Sequence, residues 1–214
     1  MTVSRYEKSE KAGIYPVIYG KRPALIPYVE LVEDELFASI HLDHDGATRM
    51  LLDADLNAWS SDLPSLMPRA VSNLREITAP FLTCNIGPVG KVWSYRSDDG
   101  HAASRILLLP ELCGVMPAEG LLAAIPSADE LFYVELDEIG NIEDLLVLLV
   151  ACQRSYQAAA TPISDQLFWF NNKKWTKLPV DYSNDSLSLE PTDEFVQAIR
   201  RLSALSLFSI KGEA

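Results

Sequence analysis

The sequence predicts an α+β fold: an antiparallel sheet, a buried central helix, and further helices packed on the sheet. Three observations carry this. Short apolar runs bounded by turn residues recur before residue 96 and again after residue 120, the pattern of antiparallel strands. Between them, residues 100–109 are apolar on nearly every helical face, which suits a helix only in an interior. Two later stretches, beginning at Asn141 and Thr192, repeat apolar residues at helical spacing. Residues 1–12 are polar and charged and read as a flexible arm; residues 13–214 read as one α+β domain.

Ile14 to Tyr19 is short and apolar, and Pro16 confines it to a sheet edge. Ala24 to Leu31, Leu36 to Leu42 and Thr48 to Leu52 read as a meander, broken at Glu33-Asp34-Glu35 and at Asp43-His44-Asp45-Gly46. Leu66, Ala70, Leu74 and Ile77 mark a helical face, with Ser65 as N-cap and Pro68 in the first turn. Phe81 to Ile86 and Val92 to Tyr95 read as strands. Asp98 or Asp99 caps the central helix, Pro110 ends or kinks it, and Gly114 stops it. Leu121 to Ile125 and Leu131 to Leu136 are the next strands. A helix from Asn141 to about Ala159 follows, with Ile142, Leu145, Leu146, Leu149 and Val150 on its buried face. Gln166 to Phe170 and Lys174 to Leu178 form a hairpin. Thr192 caps a last helix whose packing stripe is Phe195, Ile199, Leu202 and Leu205.

Composition bounds function by exclusion. Apolar residues are 48% and charged residues 22% of the chain, enough for a sizeable core. The formal net charge of −12 argues against nucleic acid, whose binding rests on Lys and Arg displacing counterions, and against an anionic membrane surface. It suits a basic protein or peptide partner, or plain solubility. Cys84, Cys113 and Cys152 show neither a disulfide framework nor zinc spacing and read as buried free thiols in the cytoplasm. The N-terminus lacks a signal-peptide pattern, and Leu145 to Cys152 is far shorter than the roughly 20 residues that span a bilayer. No Walker loop, dinucleotide-binding glycine fingerprint or nucleophile elbow occurs, and no cofactor is implied. Oligomeric state is left open.

Few residues carry candidate chemistry. His41, Asp43, His44 and Asp45 are the best metal-like cluster. Strand alternation puts His41 and Asp43 on one face and His44 on the other, so a solvated hairpin turn is the plainer reading. His101, beside Asp98 and Asp99, could do acid-base work, though a helix cap explains the same residues. Ser104 stands three residues on, but mid-helix it lacks the exposed turn of an acyl-transfer nucleophile. Cys84 reads as a structural thiol in a strand, and Trp169, Phe170 and Trp175 as hairpin packing. Arg105 is the sharpest candidate. On a buried helix it needs an anionic partner. Asp129, in the corner Pro126-Ser127-Ala128-Asp129, is the expected one, as a tie between helix and sheet. The functional alternative has Arg105 bind a carboxylate or phosphate.

At these residues the chain resembles the uncharacterised bacterial family typified by YtpQ, a domain of unknown function. The matching pieces are Ala70, Asn73 and Leu74; Asp99-Gly100 with Ala103 to Leu107; Ala124, Pro126, Asp129 and Leu131; and, more weakly, Pro162 to Ser164 leading into Leu167-Phe168. They cover residues 53–170 in order. The resemblance implies a bacterial, cytoplasmic protein and brings no catalytic residues. The layout is also similar, at fold level only, to small peptide-binding chaperones of bacterial secretion systems. The expectation is a non-catalytic interaction module such as a chaperone, adaptor or immunity-type binder. The alternatives are a small-ligand- or metal-dependent enzyme using the His41 to His44 turn or Arg105, and a structural subunit of a larger assembly.

Overall fold

The computed structural model describes residues 13–44, 47–78, 83–86, 92–137, 141–182 and 188–209. The predicted arm, residues 1–12, and the turn residues Asp45 and Gly46 lie outside them.

Strands β1 (Ile14–Tyr19), β2 (Val29–Val32), β3 (Leu36–His44) and β4 (Ala47–Met50) make a four-stranded antiparallel sheet. β3 is its centre, with β1 on one side and β2 followed by β4 on the other. β1 is the edge strand that Pro16 predicts. The second expected strand shrinks to 29–32, because Pro23 and Pro27 hold residues 22–28 out of the ladder. The third runs two residues longer than expected, so Asp43 and His44 are strand rather than turn.

Two helices follow. The short α1 (Asp53–Ala58) has no counterpart in the sequence reading; six residues hold too little periodicity to register. α2 (Leu63–Thr78) buries Leu63, Leu66, Ala70, Leu74 and Thr78. It starts two residues before the expected N-cap: the Asp62 carboxylate accepts the Ser65 N–H at 2.8 Å, and Pro68 sits inside the helix, not in its first turn. Ile77 is exposed.

β5 (Cys84–Asn85) and β6 (Val92–Arg96) lead to the central element. It is apolar and buried as predicted, yet it is not one helix. A 3-10 helix, Ala103–Leu107, passes into the short α3 (Leu109–Leu112). Pro110, expected to end the helix, occupies the first turn of α3 instead, where no N–H is required of it. Gly114 stops the run at φ 71°.

β7 (Leu121–Ser127), β8 (Glu130–Glu135), α4 (Asn141–Ala158), β9 (Leu167–Asn171), β10 (Lys174–Leu178), β11 (Val180–Asp181), β12 (Ser188–Leu189) and α5 (Asp193–Ser209) complete the chain. Six strands form an antiparallel sheet in the order β10-β9-β7-β8-β6-β5. The β9–β10 hairpin turns through Asn172 and Lys173, both at positive φ, the two-residue turn that matches strand twist. Thr192 caps α5, its hydroxyl accepting the Phe195 N–H at 3.2 Å.

The six-stranded sheet is buried on both faces. Leu121, Ala123 and Ile125 of β7 face a core shared with the four-stranded sheet and the 3-10 helix. Leu122 and Ala124 face α4 and α5. A third cluster packs Ile14, Ile40 and Leu42 against α1, α2 and Leu51. Among the described side chains of α4, which exclude that of Ile142, the buried ones are Asp144, Leu148, Leu149 and Cys152, whereas Leu146 and Val150, predicted to be buried, are 53% and 39% exposed. The helix lies against the sheet on one side only, so an apolar stripe wider than that contact is left outside.

Candidate functional site

The Arg105 side chain is fully buried, and each of its three nitrogens donates to an oxygen. Its Nε donates to Thr78 Oγ1 at 3.1 Å, and the Thr78 hydroxyl donates in turn to the Leu74 carbonyl at 2.6 Å. Nη1 and Nη2 form a fork on Asp99, at 3.1 Å to Oδ1 and 2.6 Å to Oδ2. The guanidinium carbon lies 4.8 Å from the centre of the Tyr95 ring, a cation–π contact. Burial would raise the Asp99 carboxyl, but hydrogen bonds from Arg105, Ser97 and the His101 N–H, with the Arg105 charge, outweigh it and bring it down to about 2.

The expected partner, Asp129, is therefore replaced by Asp99. Asp129 is exposed, and its turn docks through the backbone: the Ala128 carbonyl accepts Ala103 N–H at 3.0 Å and the Asp129 carbonyl accepts Ser97 N–H at 3.3 Å. The Gly100 turn, at φ 71°, folds Asp99 back beneath the 3-10 helix. Asp99 caps no helix, since the residue before the 3-10 helix is Ala102, which makes no side-chain cap. Ser104 is 1% exposed, which closes it to an incoming ligand. Asn73 of α2 donates to the Ile14 carbonyl of edge strand β1 at 2.9 Å. These contacts tie α2, the 3-10 helix and β1 together.

Two candidates that the sequence treated separately meet beside this knot. In β3, His41 and Asp43 share a face, as predicted, opposite Tyr15 and its neighbours in β1. The His101 ring packs on Tyr15 with centroids 5.2 Å apart, and His41 Nε2 lies 3.3 Å from the Tyr19 hydroxyl. Nδ1 of His101 is buried without a partner. Burial, then the nearby His101, lowers the pKa of His41. Burial also lowers that of His101, against the pull of Asp99 and Asp43. Both rings are favoured neutral. The side chain of His44 and all of Asp45 lie outside the described residues. Among those described, no three His, Cys, Asp or Glu side chains are placed to hold a metal ion.

The three thiols differ from one another. Cys84 is exposed, against the expectation of a buried one, because β5 is the two-residue outer strand of its sheet. Burial pushes Cys113 and Cys152 up to about 12, so both are poor nucleophiles. Trp169 and Trp175 are buried in the hairpin, with Phe170 and Trp175 in ring contact at 4.9 Å.

Asp129 points instead to an open cleft of about 430 Å³. Arg96, Ser97 and Asp98 from the end of β6, Asp129 and Glu130 from the β7–β8 turn, and Arg154 from α4 line it. Arg96 is paired with Glu130 at 2.5 Å. A second, mostly apolar groove of about 380 Å³ continues along α4 and shares Arg154 with the first. No family model, curated protein or solved structure matches the chain. Among the described residues no helix is long and apolar enough to cross a membrane.

Proposed function

We propose that this is a non-catalytic interaction module of the bacterial cytoplasm, a chaperone, adaptor or immunity-type binder, that takes a basic protein or peptide. The observation behind this reading is the buried guanidinium of Arg105, held on Asp99 and Thr78. With each of its three nitrogens donating to a protein oxygen and no exposed surface, it serves as a tie between elements and is closed to a substrate. The open polar surface lies elsewhere, at Asp98 and Asp129, on a chain of net charge −12. Acidic surfaces of this kind speed and select encounters with basic partners. The resemblance to the YtpQ-type family, which brings no catalytic residues, agrees with this reading. Affinity capture at low salt, repeated at high salt and followed by cross-link mapping, is the test. A defined basic partner whose capture fades with salt supports the reading; recovery of no specific partner at either salt refutes it.

A second reading, a ligand- or metal-dependent enzyme, draws on one observation: His41, Asp43 and His101 gather beside Tyr15 and Tyr19. Neutral imidazoles can act as bases or metal ligands. Histidine resonances that stay unshifted as zinc or manganese is added would remove the metal form of this reading.

A further inference from the structure

The outer face of α4 carries a feature that a lone helix on a sheet does not need. Leu146, Val147, Val150 and Ala151, with Ile86 after β5, line the apolar groove. Leu146 is 53% exposed, and Val150 and Ile86 are each 39% exposed. The groove runs toward the C-terminal end of the helix and meets the polar cleft at Arg154. We infer that this joined groove docks a segment of a partner protein in which apolar residues are followed by lysine or arginine. The inference rests on the reading of the chain as an interaction module.

Charge complementarity fixes the occupant. In the polar half, Arg96 and Glu130 neutralise one another, and the exposed carboxylates of Asp98 and Asp129 outnumber the one remaining cation, Arg154. The negative end of the α4 dipole lies in the same place, lined by Ser155, Ala158 and Ala159, and no basic residue stands in the last turn to offset it. Two carboxylates and a helix C-terminus outweigh Arg154 and together favour a cationic side chain. Arg154, at the seam, offers N–H donors to backbone carbonyls of the docked segment. The apolar half excludes water from large side chains and supplies the affinity that area burial gives. A second copy of this chain is a poor occupant, since both surfaces would carry the same strong negative charge.

The test is fluorescence anisotropy on the full chain with a dye-labelled amphipathic peptide built of leucine and lysine. Two control peptides replace leucine by serine or lysine by glutamate. The leucine–lysine peptide is expected to bind saturably and the controls weakly. Leu146→Asp and Asp129→Lys should each weaken binding about tenfold or more, equivalent to about 1.4 kcal/mol. Glu190→Lys, an equal charge change on exposed surface remote in sequence, should leave it within about twofold. All three positions are exposed, and melting curves check that each variant folds. No binding, equal binding of the serine–lysine peptide, or equal loss from Glu190→Lys and Asp129→Lys overturns the groove. A natural basic partner that cross-links away from α4 also overturns it while leaving the wider reading standing. Absence of any natural partner, with the peptide still seated on α4, does the reverse.

Discussion

Arg105 concentrates the physics of this chain at one residue. A buried cation is tolerable only while its partners stay in place. Arg105→Ala removes the fork, the Thr78 bond and the Tyr95 contact together, and leaves the partly exposed Asp99 to rehydrate. A loss of about 2–5 kcal/mol, from the cavity and the broken hydrogen bonds, is expected from denaturant unfolding. Arg105→Lys should recover only part of it, because an ammonium cannot fork. The pH dependence has two windows. Asp99 is held down to about 2 when folded, against an ordinary 3.8. The folded chain therefore binds fewer protons, and the stability from this pair, full above about 4, is lost as pH falls toward 2. His41 and His101 are also lowered from 6.5. Their contribution is present above 6.5 and fades as pH drops below it. Urea midpoints at pH 7.5 and 5.5 should show that decline, and His101→Phe, which keeps a ring on Tyr15 and removes the unpartnered Nδ1, should flatten it. An unchanged slope in that variant would show that His101 is not the group titrating.

At the scale of elements, β7 and α4 set the tolerances. Gly120, just before β7, has φ 84°, and a Cβ there would meet the Phe170 carbonyl oxygen at 1.9 Å. Gly120→Ala should therefore destabilise by more than the ~1 kcal/mol of an ordinary glycine replacement, readable as a fall in melting temperature. Leu148→Ala, in the core beneath α4, should cost about 2–5 kcal/mol, whereas Leu146→Ala, two residues away, should stay within about 0.5 kcal/mol. The same elements show what could be read in advance. Strands β1, β3, β7, β8, β9 and β10 and the helices α4 and α5 follow from apolar periodicity and turn residues, which act within a few positions. Pro110 and Leu146 did not, because burial on one side of a helix is decided by what packs there. The Arg105 need for an anion was legible in its apolar surroundings. Its partner was not, since Asp99 is brought round by a single positive φ at Gly100 that the sequence permits without requiring. The meeting of His41 with His101 depends on docking the central segment along β1, and no local signal could announce it.

Across the whole molecule, the two sheets are joined by a core they share. Ile18, Leu36 and Ala38 of the four-stranded sheet share one cluster with Tyr95, Leu121 and Phe168 of the six-stranded sheet and with Ile106 between them. Lys177 of β10 also pairs with Glu35, across the two sheets. A fragment of residues 13–78 should consequently lack stable structure by circular dichroism: it keeps the cluster under α2 but loses the far wall of the shared core. A cooperative melt in that fragment would contradict a shared core. The order of synthesis adds a further consequence. β7 is buried at all seven positions, and one of its two pairing strands, β9, is encoded roughly forty residues later. At the usual pace of translation, on the order of 2–8 s passes before that neighbour emerges. For that interval the ribosome holds out an apolar strand with one unsatisfied edge, so the newborn chain is more exposed to aggregation, and more in need of a chaperone, than the finished protein ever is.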